Sequence, residues 1–288
     1  MNRKTIKTVI KNDTFSKNMV LFSNFASQYD LNDEEINGKY LHTFRVAEIC
    51  AEIAKNLGLN TQTAFTIGLL HDYSRFEQWS KYKSFRDYAI VDENGEIYDH
   101  ADKAAELLFE QGHINDFEFD PEDFLIIYLS IKFHNKPEID EAFILDQMKR
   151  VPQNKHSFET IMNYCKLIRD SDKMDLLNRI GYGDLKFDSD KDGVTPSVLK
   201  RVQNHKFVYI AEMKTKLDRV LSFIGFLYDL NFIESIEQID LNTYFDAIRT
   251  HYGTHLTKED NKILEDVIKD TKKYFESQSS SKKPQMDK

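Results

Sequence analysis

Residues 64–72 read Ala-Phe-Thr-Ile-Gly-Leu-Leu-His-Asp, an apolar run that ends on an adjacent histidine and aspartate. An apolar run that leads directly into two polar side chains fits a buried helix. Burying an ionised carboxylate is costly unless something compensates its charge. A divalent metal ion can do so, because imidazole nitrogen and carboxylate oxygen are both common metal ligands. The pair His71-Asp72 is therefore a candidate metal site, although such a dipeptide alone also occurs by chance.

Apolar residues recur at every third or fourth position along much of the chain, as they do in amphipathic helices. The sequence shows no long alternating pattern of the kind that strands produce. Only 10 Gly and 5 Pro occur among 288 residues, which leaves few turn residues for a sandwich or a barrel. The sequence therefore predicts an all-α fold. The predicted helices include 46–57, 64–70, 101–108, 124–131, 158–168, 197–230, 232–250 and 257–276.

Helical phase directs further ligand-type side chains into the core. His42 lies in line with Val46, one turn later, on the apolar face of its helix. Near residue 170 two acids can be separated in the same way. Asp172 shares a face with Ile168, whereas Asp170 follows polar residues. We therefore expect Asp172 to point inward and Asp170 to point outward.

Two more histidines occupy similar positions. His100 precedes an apolar helical face, and His134 follows another at the end of its helix. A single histidine on such a face is more often a hydrogen-bonded core residue than a ligand. Here four histidines and two acids fall on successive predicted helices, so separate structural explanations for each become improbable together.

The order of these residues resembles that of the HD-domain metal-dependent phosphohydrolase superfamily, whose motif runs His, His-Asp and a distant Asp. His42, His71-Asp72 and Asp172 match that motif. Residues 171–176 (Ser-Asp-Lys-Met-Asp-Leu) are similar to the family's Ala-Asp-Arg-Leu-Asp type of segment. Residues 71–78 resemble the HDIG variety, with Tyr-Ser in place of the usual Ile-Gly. The resemblance covers about residues 38–180 and is specific for the superfamily rather than for a substrate.

The resemblance implies an HD-domain helical bundle with additional C-terminal helices. The expected domains are an N-terminal helical extension (1–37), the HD metal-binding domain (38–180), C-terminal helices packed on the same bundle (181–276) and a disordered tail (277–288).

The resemblance also implies a metal cofactor of one or two divalent ions, with Mn, Co, Ni, Mg, Fe and Zn all open. The expected ligands of a first ion are His42, His71, Asp72 and Asp172. His100 and His134 lie where relatives with two metals carry their extra histidines, so we expect them to complete a second position. The alternative is that both histidines only form hydrogen bonds within the fold.

The activity implied is hydrolysis of a phosphate ester or anhydride in a nucleotide or similar small phosphorylated metabolite. Asp72 and Arg75 are the expected catalytic residues, and Arg75, Lys81 and Arg86 the expected substrate contacts. An arginine suits phosphate because its fork donates two hydrogen bonds. The alternatives are a surface ion pair for Arg75 and a solvated charged face for the others. Residues 79–99 are a candidate lid.

Two other functions stay open. One is a di-iron oxygenase, since some HD proteins use the same ligands for oxygen chemistry. The other is a non-catalytic HD module that senses a nucleotide and signals through the C-terminal helices. The intact ligand set counts against the second.

The net charge of −9 disfavours nucleic acid as a partner, because duplex-binding surfaces are basic. No apolar run is long enough for a signal peptide or a membrane span, so we expect a cytoplasmic protein without membrane contact, and an oligomer is possible. Cys50 and Cys165 are expected to be buried thiols rather than a disulfide or a zinc site.

Two further motifs resemble metal sites, but simpler interpretations are preferred. Residues 188–193 match half of an EF-hand loop, but Pro196 and Leu199 occupy its ninth and twelfth positions, so we expect a plain turn. His251 and His255 are four residues apart, but the glycine between them indicates a helix end at the surface.

Overall fold

A computed structural model describes residues 13–92, 95–151, 154–183, 187 and 189–281. Within these ranges the regular structure is helical, apart from one isolated antiparallel bridge between Val91 and Ile97. The prediction of an all-α fold is therefore confirmed. None of the described helices has the length and apolar character needed to cross a membrane. The chain divides into two compact units, Met1–Asp172 and Lys173–Lys288.

The first unit contains seven α-helices and the beginning of an eighth within its described residues. They are α1 (Asp13–Ala26), α2 (Glu34–Asn56), α3 (Thr61–Leu70), α4 (Arg75–Tyr82), α5 (His100–Ala105), α6 (Phe124–Phe133), α7 (Glu141–Arg150) and α8 (Phe158–Gly181). Several of these helices begin with an N-cap side chain that accepts hydrogen bonds from free backbone N–H groups. Asp33 caps α2, Asn60 caps α3 and Asp99 caps α5. The π-helical turn Glu106–Glu110 continues α5.

The closest helix packing in this unit joins α2 to α3. A Cβ atom added at Gly68 would lie 2.6 Å from Cα of Ala47 and 2.9 Å from Sγ of Cys50. Glycine therefore lets the two helix backbones approach. This contact places the end of α3 against the middle of α2, where the candidate ligands of both helices lie.

Stacked aromatic rings pack α1 against the same bundle. Phe15 stacks on Phe65 of α3 at 4.6 Å between ring centroids, and Phe25 stacks on Tyr73 at 3.9 Å. The predicted N-terminal extension thus includes a packed helix, and residues 1–12 lie outside the described residues.

The second unit has its own core. After α8 it contains α9 (Pro196–Gln203), α10 (Lys216–Leu227), α11 (Ile233–Glu237), α12 (Leu241–His251) and α13 (Lys258–Ser281). Fully buried apolar side chains in this core include Val198, Val202, Leu217, Phe223, Phe245 and Leu264. The division between the units falls within α8. The domain boundaries at 37 and 180, and the packing of the C-terminal helices on the HD bundle, stay predictions.

Two of the three helices predicted in the C-terminal region were wrong in length, because each is divided into two shorter helices in the structure. The helix predicted over 197–230 is interrupted, because α9 ends at Gln203 and His205 adopts a left-handed backbone with φ 53°. A capping box between Thr215 and Asp218 then begins α10. The helix predicted over 232–250 is divided into α11 and α12, and Asp240 caps the second of them.

The third prediction, 257–276, is confirmed, and α13 continues through Ser281. Residues 277–281 extend this helix, and the predicted disordered tail from residue 277 onward stays a prediction. Residues 282–288 lie outside the described part of the chain.

The expected turn and surface histidines are found in the second unit. Asp192 pairs with Lys216 at 2.5 Å, and the Gly193 backbone N–H donates to Asp260, so this loop serves structural contacts; Asp188 lies outside the described residues. His251 and His255 are exposed, as expected.

Cys50 and Cys165 are free and buried, as predicted. Burial raises the pKa of each thiol to about 12, so neither is a reactive thiolate at neutral pH.

Candidate metal centre

Six side chains from successive helices of the first unit meet at one place. They are His42 on α2, His71 and Asp72 directly after α3, His100 at the start of α5, His134 directly after α6, and Asp172 on α8. These are the six ligands that the sequence predicted. Asp72 is central, because each of its two carboxylate oxygens faces a different pair of histidines.

The first ligand group consists of His42, His71, Asp172 and Oδ2 of Asp72. Oδ2 lies 3.6 Å from Nε2 of His42 and 3.6 Å from Nε2 of His71. Oδ1 of Asp172 lies 3.2 Å from Nε2 of His42 and 3.9 Å from Nε2 of His71. Each of the two histidine nitrogens thus lies within 4 Å of both carboxylate oxygens. His42, His71 and Asp72 also satisfy the mutual spacing of a metal-binding cluster.

The second ligand group consists of His100, His134 and Oδ1 of Asp72, and it satisfies the same spacing. Oδ1 lies 3.5 Å from Nε2 of His100 and 3.7 Å from Nε2 of His134. The two Nε2 atoms are 3.0 Å apart. Adjacent nitrogen ligands of one six-coordinate ion, each about 2.1 Å away, are separated by roughly 3 Å. The spacing therefore fits a single ion between the rings.

Hydrogen bonds at Nδ1 fix which nitrogen two of the histidines present. His71 bonds to the Gly68 carbonyl at 2.7 Å, and His134 bonds to the Ile131 carbonyl at 2.7 Å. A carbonyl oxygen only accepts, so Nδ1 carries the proton in both rings. Nε2 of a neutral ring then has a free lone pair, as a metal ligand requires.

One atom in the centre gives an independent test of whether a metal fits. Nε2 of His71 is completely buried and has no hydrogen-bond partner among the described residues. Buried polar nitrogens without a partner are rare in folded proteins. Two carboxylates stand within 4 Å of it but hold no proton that it could accept. A divalent cation satisfies the nitrogen and both acids together, so the residues present fit the metal.

The local electrostatics keep His71 and His100 in the neutral form that binds metal. Burial lowers the pKa of His71 to about 4, against the opposing effect of Asp72 and Asp172. Burial, followed by the nearby Arg75 charge, lowers the pKa of His100 to about 4. Both rings are therefore neutral at physiological pH, which is the state that binds metal.

The two acids of the first group stay ionised although burial opposes it. For Asp72, Lys39 and His71 outweigh the burial effect and hold the pKa well below its usual value. For Asp172, the neighbouring His42 ring, whose Nε2 lies 3.2 Å from Oδ1, lowers the pKa in the same way. Two negative charges are thus maintained in the first ligand group.

Sequence reasoning missed Lys39. Its Nζ lies 2.6 Å from Oδ2 of Asp72 and 5.3 Å from the centre of the Phe85 ring, with 21% of the side chain exposed. The available signal was its place one helical turn before His42, on the same face of α2.

Sequence reasoning also missed Asp87, in the short 3₁₀ helix Asp87–Ala89 between α4 and α5. Its Oδ2 accepts from Nδ1 of His100 at 2.5 Å, and its Oδ1 accepts from Arg75 at 2.8 Å. Burial opposes its ionisation, but the hydrogen bond with His100 and the Arg75 charge hold its pKa at about 2. No sequence pattern pointed to it, because this contact depends on the path of an irregular segment.

Arg75 lies inside the centre, so the alternative of a surface ion pair is wrong. Only 11% of its side chain is exposed. One terminal nitrogen, Nη1, donates to Gln78, to the Phe85 carbonyl and to Asp87. The other edge faces the ligands: Nη2 is 3.3 Å from Nε2 of His100, and Nε is 3.5 Å from Oδ1 of Asp72.

Lys81 and Arg86 are exposed, and Lys81 lies against the Tyr82 ring at 5.3 Å. Their contact with substrate stays a prediction, as does the closing role of residues 79–99. That segment contains the end of α4, a left-handed Lys83 and the 3₁₀ turn, while residues 93–94 lie outside the described residues.

The expected outward orientation of Asp170 was wrong. Asp170 is fully buried, whereas the side chain of Asp172 is 41% exposed. Buried residues occur all around this part of α8, including Ser171 and Asp175. Helical phase therefore could not separate an inner from an outer face. Asp172 is nevertheless the acid whose carboxylate lies beside His42.

The chain was also compared with known proteins. The family model of the HD domain matches residues 40–177, a segment that contains all six predicted ligands from His42 to Asp172. No curated protein and no solved structure matches the chain. HD domains bind divalent metals and are typically metal-dependent hydrolases. The chain therefore carries an HD domain, and its residues 40–177 belong to the HD-domain superfamily.

Proposed function

We propose that this HD domain is a phosphohydrolase that uses two divalent ions to cleave a phosphate ester or anhydride of a nucleotide or similar small phosphorylated metabolite. The observation that carries the proposal is the arrangement of Asp72 and Arg75. Asp72 joins the two ligand groups through its two oxygens, and Arg75 directs one edge of its guanidinium at the same place.

The two ligand groups would hold divalent ions, which would supply Lewis-acid chemistry by polarising a phosphoryl oxygen and lowering the pKa of bound water. Asp72 keeps the two groups adjacent, since one rigid carboxylate contributes an oxygen to each. His71 and His134 hold their lone pairs inward through their carbonyl hydrogen bonds. The protein thus fixes the geometry before substrate arrives, which is the main protein contribution in phosphoryl transfer.

Arg75 is suited to bind the phosphoryl group. Three acceptors immobilise Nη1, so the orientation of the whole planar group is set before binding. Nε is buried and has no hydrogen bond among the described residues, and it points to the centre together with Nη2. This Nε–Nη2 edge is the fork that binds two oxygens of one phosphate.

Lys39 supplies a second cation on the side of the first group. Its ammonium is partly exposed and ends a flexible side chain, so it can turn from Asp72 to a phosphate oxygen. Two cations in a confined site favour a small, highly charged group. The overall charge of −9 repels a long polyanion, which supports a metabolite rather than nucleic acid as substrate.

A panel of nucleotides and sugar phosphates tests the proposal, with Mn, Co, Ni, Mg and Fe supplied separately. We expect phosphate or pyrophosphate release that stops with a chelator and falls ~10²–10³-fold in Asp72→Asn, the usual effect of removing one electrostatic catalytic group. His251→Asn, at an exposed histidine in the second unit, is the matched control and keeps full activity. A metal-loaded protein that releases nothing from the whole panel contradicts the proposal.

The same panel separates the di-iron oxygenase alternative, which the four-histidine, two-acid set also supports. An oxygenase purifies with iron and consumes oxygen on adding substrate, whereas a phosphohydrolase releases phosphate without oxygen.

A further inference from the structure

Asp87 forms hydrogen bonds with two parts of the metal centre at once. Oδ2 accepts from the His100 ring at 2.5 Å and from the His100 backbone N–H at 3.3 Å. Oδ1 accepts from Arg75 at 2.8 Å and from Nε2 of Gln78 at 3.0 Å. The residue belongs to residues 83–92, here called the Asp87 segment, which follow α4. One side chain therefore joins this segment to a candidate ligand and to a candidate phosphate-binding group.

The bond to His100 decides how that ring can act. An ionised carboxylate only accepts, so Nδ1 of His100 carries the proton and Nε2 presents its lone pair beside His134. Carboxylates that orient metal-binding histidines in this way also make the ring a stronger ligand. Without Asp87 the ring loses both its fixed tautomer and its fixed orientation.

The charge of Asp87 acts in the same direction. The Arg75 guanidinium lies 3.3 Å from Nε2 of His100, where its positive charge repels a cation in the second ligand group. Asp87 offsets that charge through its bond to Nη1. Neutralising Asp87 therefore weakens cation binding in the second ligand group in two ways. The His100 ring becomes a weaker ligand, and the Arg75 charge is no longer compensated.

We propose that Asp87 is the positioning residue of the second ligand group, and that it couples binding of an ion there to the order of the Asp87 segment. The coupling is reciprocal by thermodynamic linkage: an ion that needs His100 held by Asp87 also holds Asp87, and with it residues 83–92. The segment brings the Phe85 carbonyl to Arg75 as well, so ordering it completes the phosphate-binding edge. The inference rests on the second ion of the proposed function but not on the hydrolytic reaction.

Titration of the full chain with Mn²⁺ tests the positioning role of Asp87. The electron paramagnetic resonance signal of the free ion measures how much Mn²⁺ is bound. We expect two bound ions in the wild type. In Asp87→Asn, one of the two affinities falls ~10–100-fold, the usual range for loss of such a partner, and the other stays within about threefold. An amide has one acceptor oxygen, so it cannot serve His100 and Arg75 together. Asp92→Asn is the matched control, because Asp92 lies in the same segment and accepts from the Glu96 backbone N–H.

Hydrogen exchange of the backbone amides tests the coupling between ion binding and the order of the Asp87 segment. Saturating Mn²⁺ is expected to slow exchange of wild-type amides 83–92 at least tenfold, and this effect is lost in Asp87→Asn and retained in Asp92→Asn. His100→Ala is expected to abolish the effect too. His100→Ala already removes the second ion, so adding Asp87→Asn to it is expected to lower the number of bound ions no further.

The proposal is overturned if the wild type binds one ion, if Asp87→Asn keeps both affinities, or if Mn²⁺ leaves exchange of residues 83–92 unchanged. An equal loss in Asp92→Asn also overturns it. A chain that gives the expected binding and exchange but hydrolyses no phosphate refutes the proposed function and leaves this inference intact.

Discussion

Nζ of Lys39 lies 2.6 Å from Oδ2 of Asp72, so the carboxylate that faces both ligand groups has a cationic partner of its own. In metal-free protein this ion pair compensates a buried charge. Bound metal supplies the same compensation, so the two cations compete for one oxygen.

Lys39→Met is therefore expected to destabilise the protein mainly in chelator. We expect the free energy of unfolding to fall by about 1–3 kcal/mol without metal, the usual cost of losing a charged hydrogen bond, and by less with saturating Mn²⁺. Urea unfolding under both conditions measures this. Lys55→Met, on the same helix, controls for loss of a lysine, and an equal loss with and without metal would show that the two cations do not compete.

Variants of the two acids on α8 are expected to differ in metal content. Asp172→Asn removes an oxygen beside His42 and should lower the affinity of the first ion at least tenfold. Asp170→Asn alters a buried side chain and should reduce stability while leaving metal binding intact. Elemental analysis after gel filtration decides between them. Loss of metal in the Asp170 variant alone would contradict the assignment.

The histidines of the second group are expected to change the stoichiometry. His100→Ala and His134→Ala should each reduce bound metal from about two ions to about one, because the first group keeps its own donors. The matched control is His205→Ala, at a histidine of the second unit that pairs with Asp270. A wild type that saturates at one ion under metal excess, with both variants unchanged, would refute the second position.

Stability in chelator is expected to fall as the pH drops from about 6.5 to 4. The pKa of His71 is lowered from 6.5 to about 4, so in this range the unfolded chain binds protons that the folded protein does not. The penalty for this residue reaches roughly 3 kcal/mol at the lower end. Asp72 and Asp172, whose pKa values are lowered, lose their contributions only below about pH 4.

Urea midpoints measured at half-unit pH steps give this profile. His71→Asn removes the titrating group, so its stability should depend less steeply on pH between 6.5 and 4. His251→Asn should follow the wild type. A wild-type profile that is flat in this range would show that His71 titrates normally in the fold.

The six residues that meet at the candidate metal centre could be predicted from sequence because each lies at a helix position that a motif or an apolar face identifies; their binding of metal stays a prediction. Lys39 and Asp87 were missed for a different reason. Their roles arise from contacts 33 residues away with Asp72 and 13 residues away with His100, and the second depends on an irregular segment. Asp170 was misjudged because α8 is buried on several sides.

The C-terminal helices show the other limit of the sequence. Apolar residues such as Val208 also occur beyond α9 and are buried in the core. Hydrophobic spacing therefore could not reveal the break at His205, which is a matter of backbone conformation.

The central claim is that Asp72 joins two metal positions, and a crystal soaked in Mn²⁺ tests it most directly by anomalous scattering. The account predicts two peaks roughly 3.5–4 Å apart. One should lie about 2.0–2.3 Å from Nε2 of His42 and His71, the other equally close to Nε2 of His100 and His134, with Asp72 between them. A single peak, or peaks more than about 4 Å from these atoms, would contradict it.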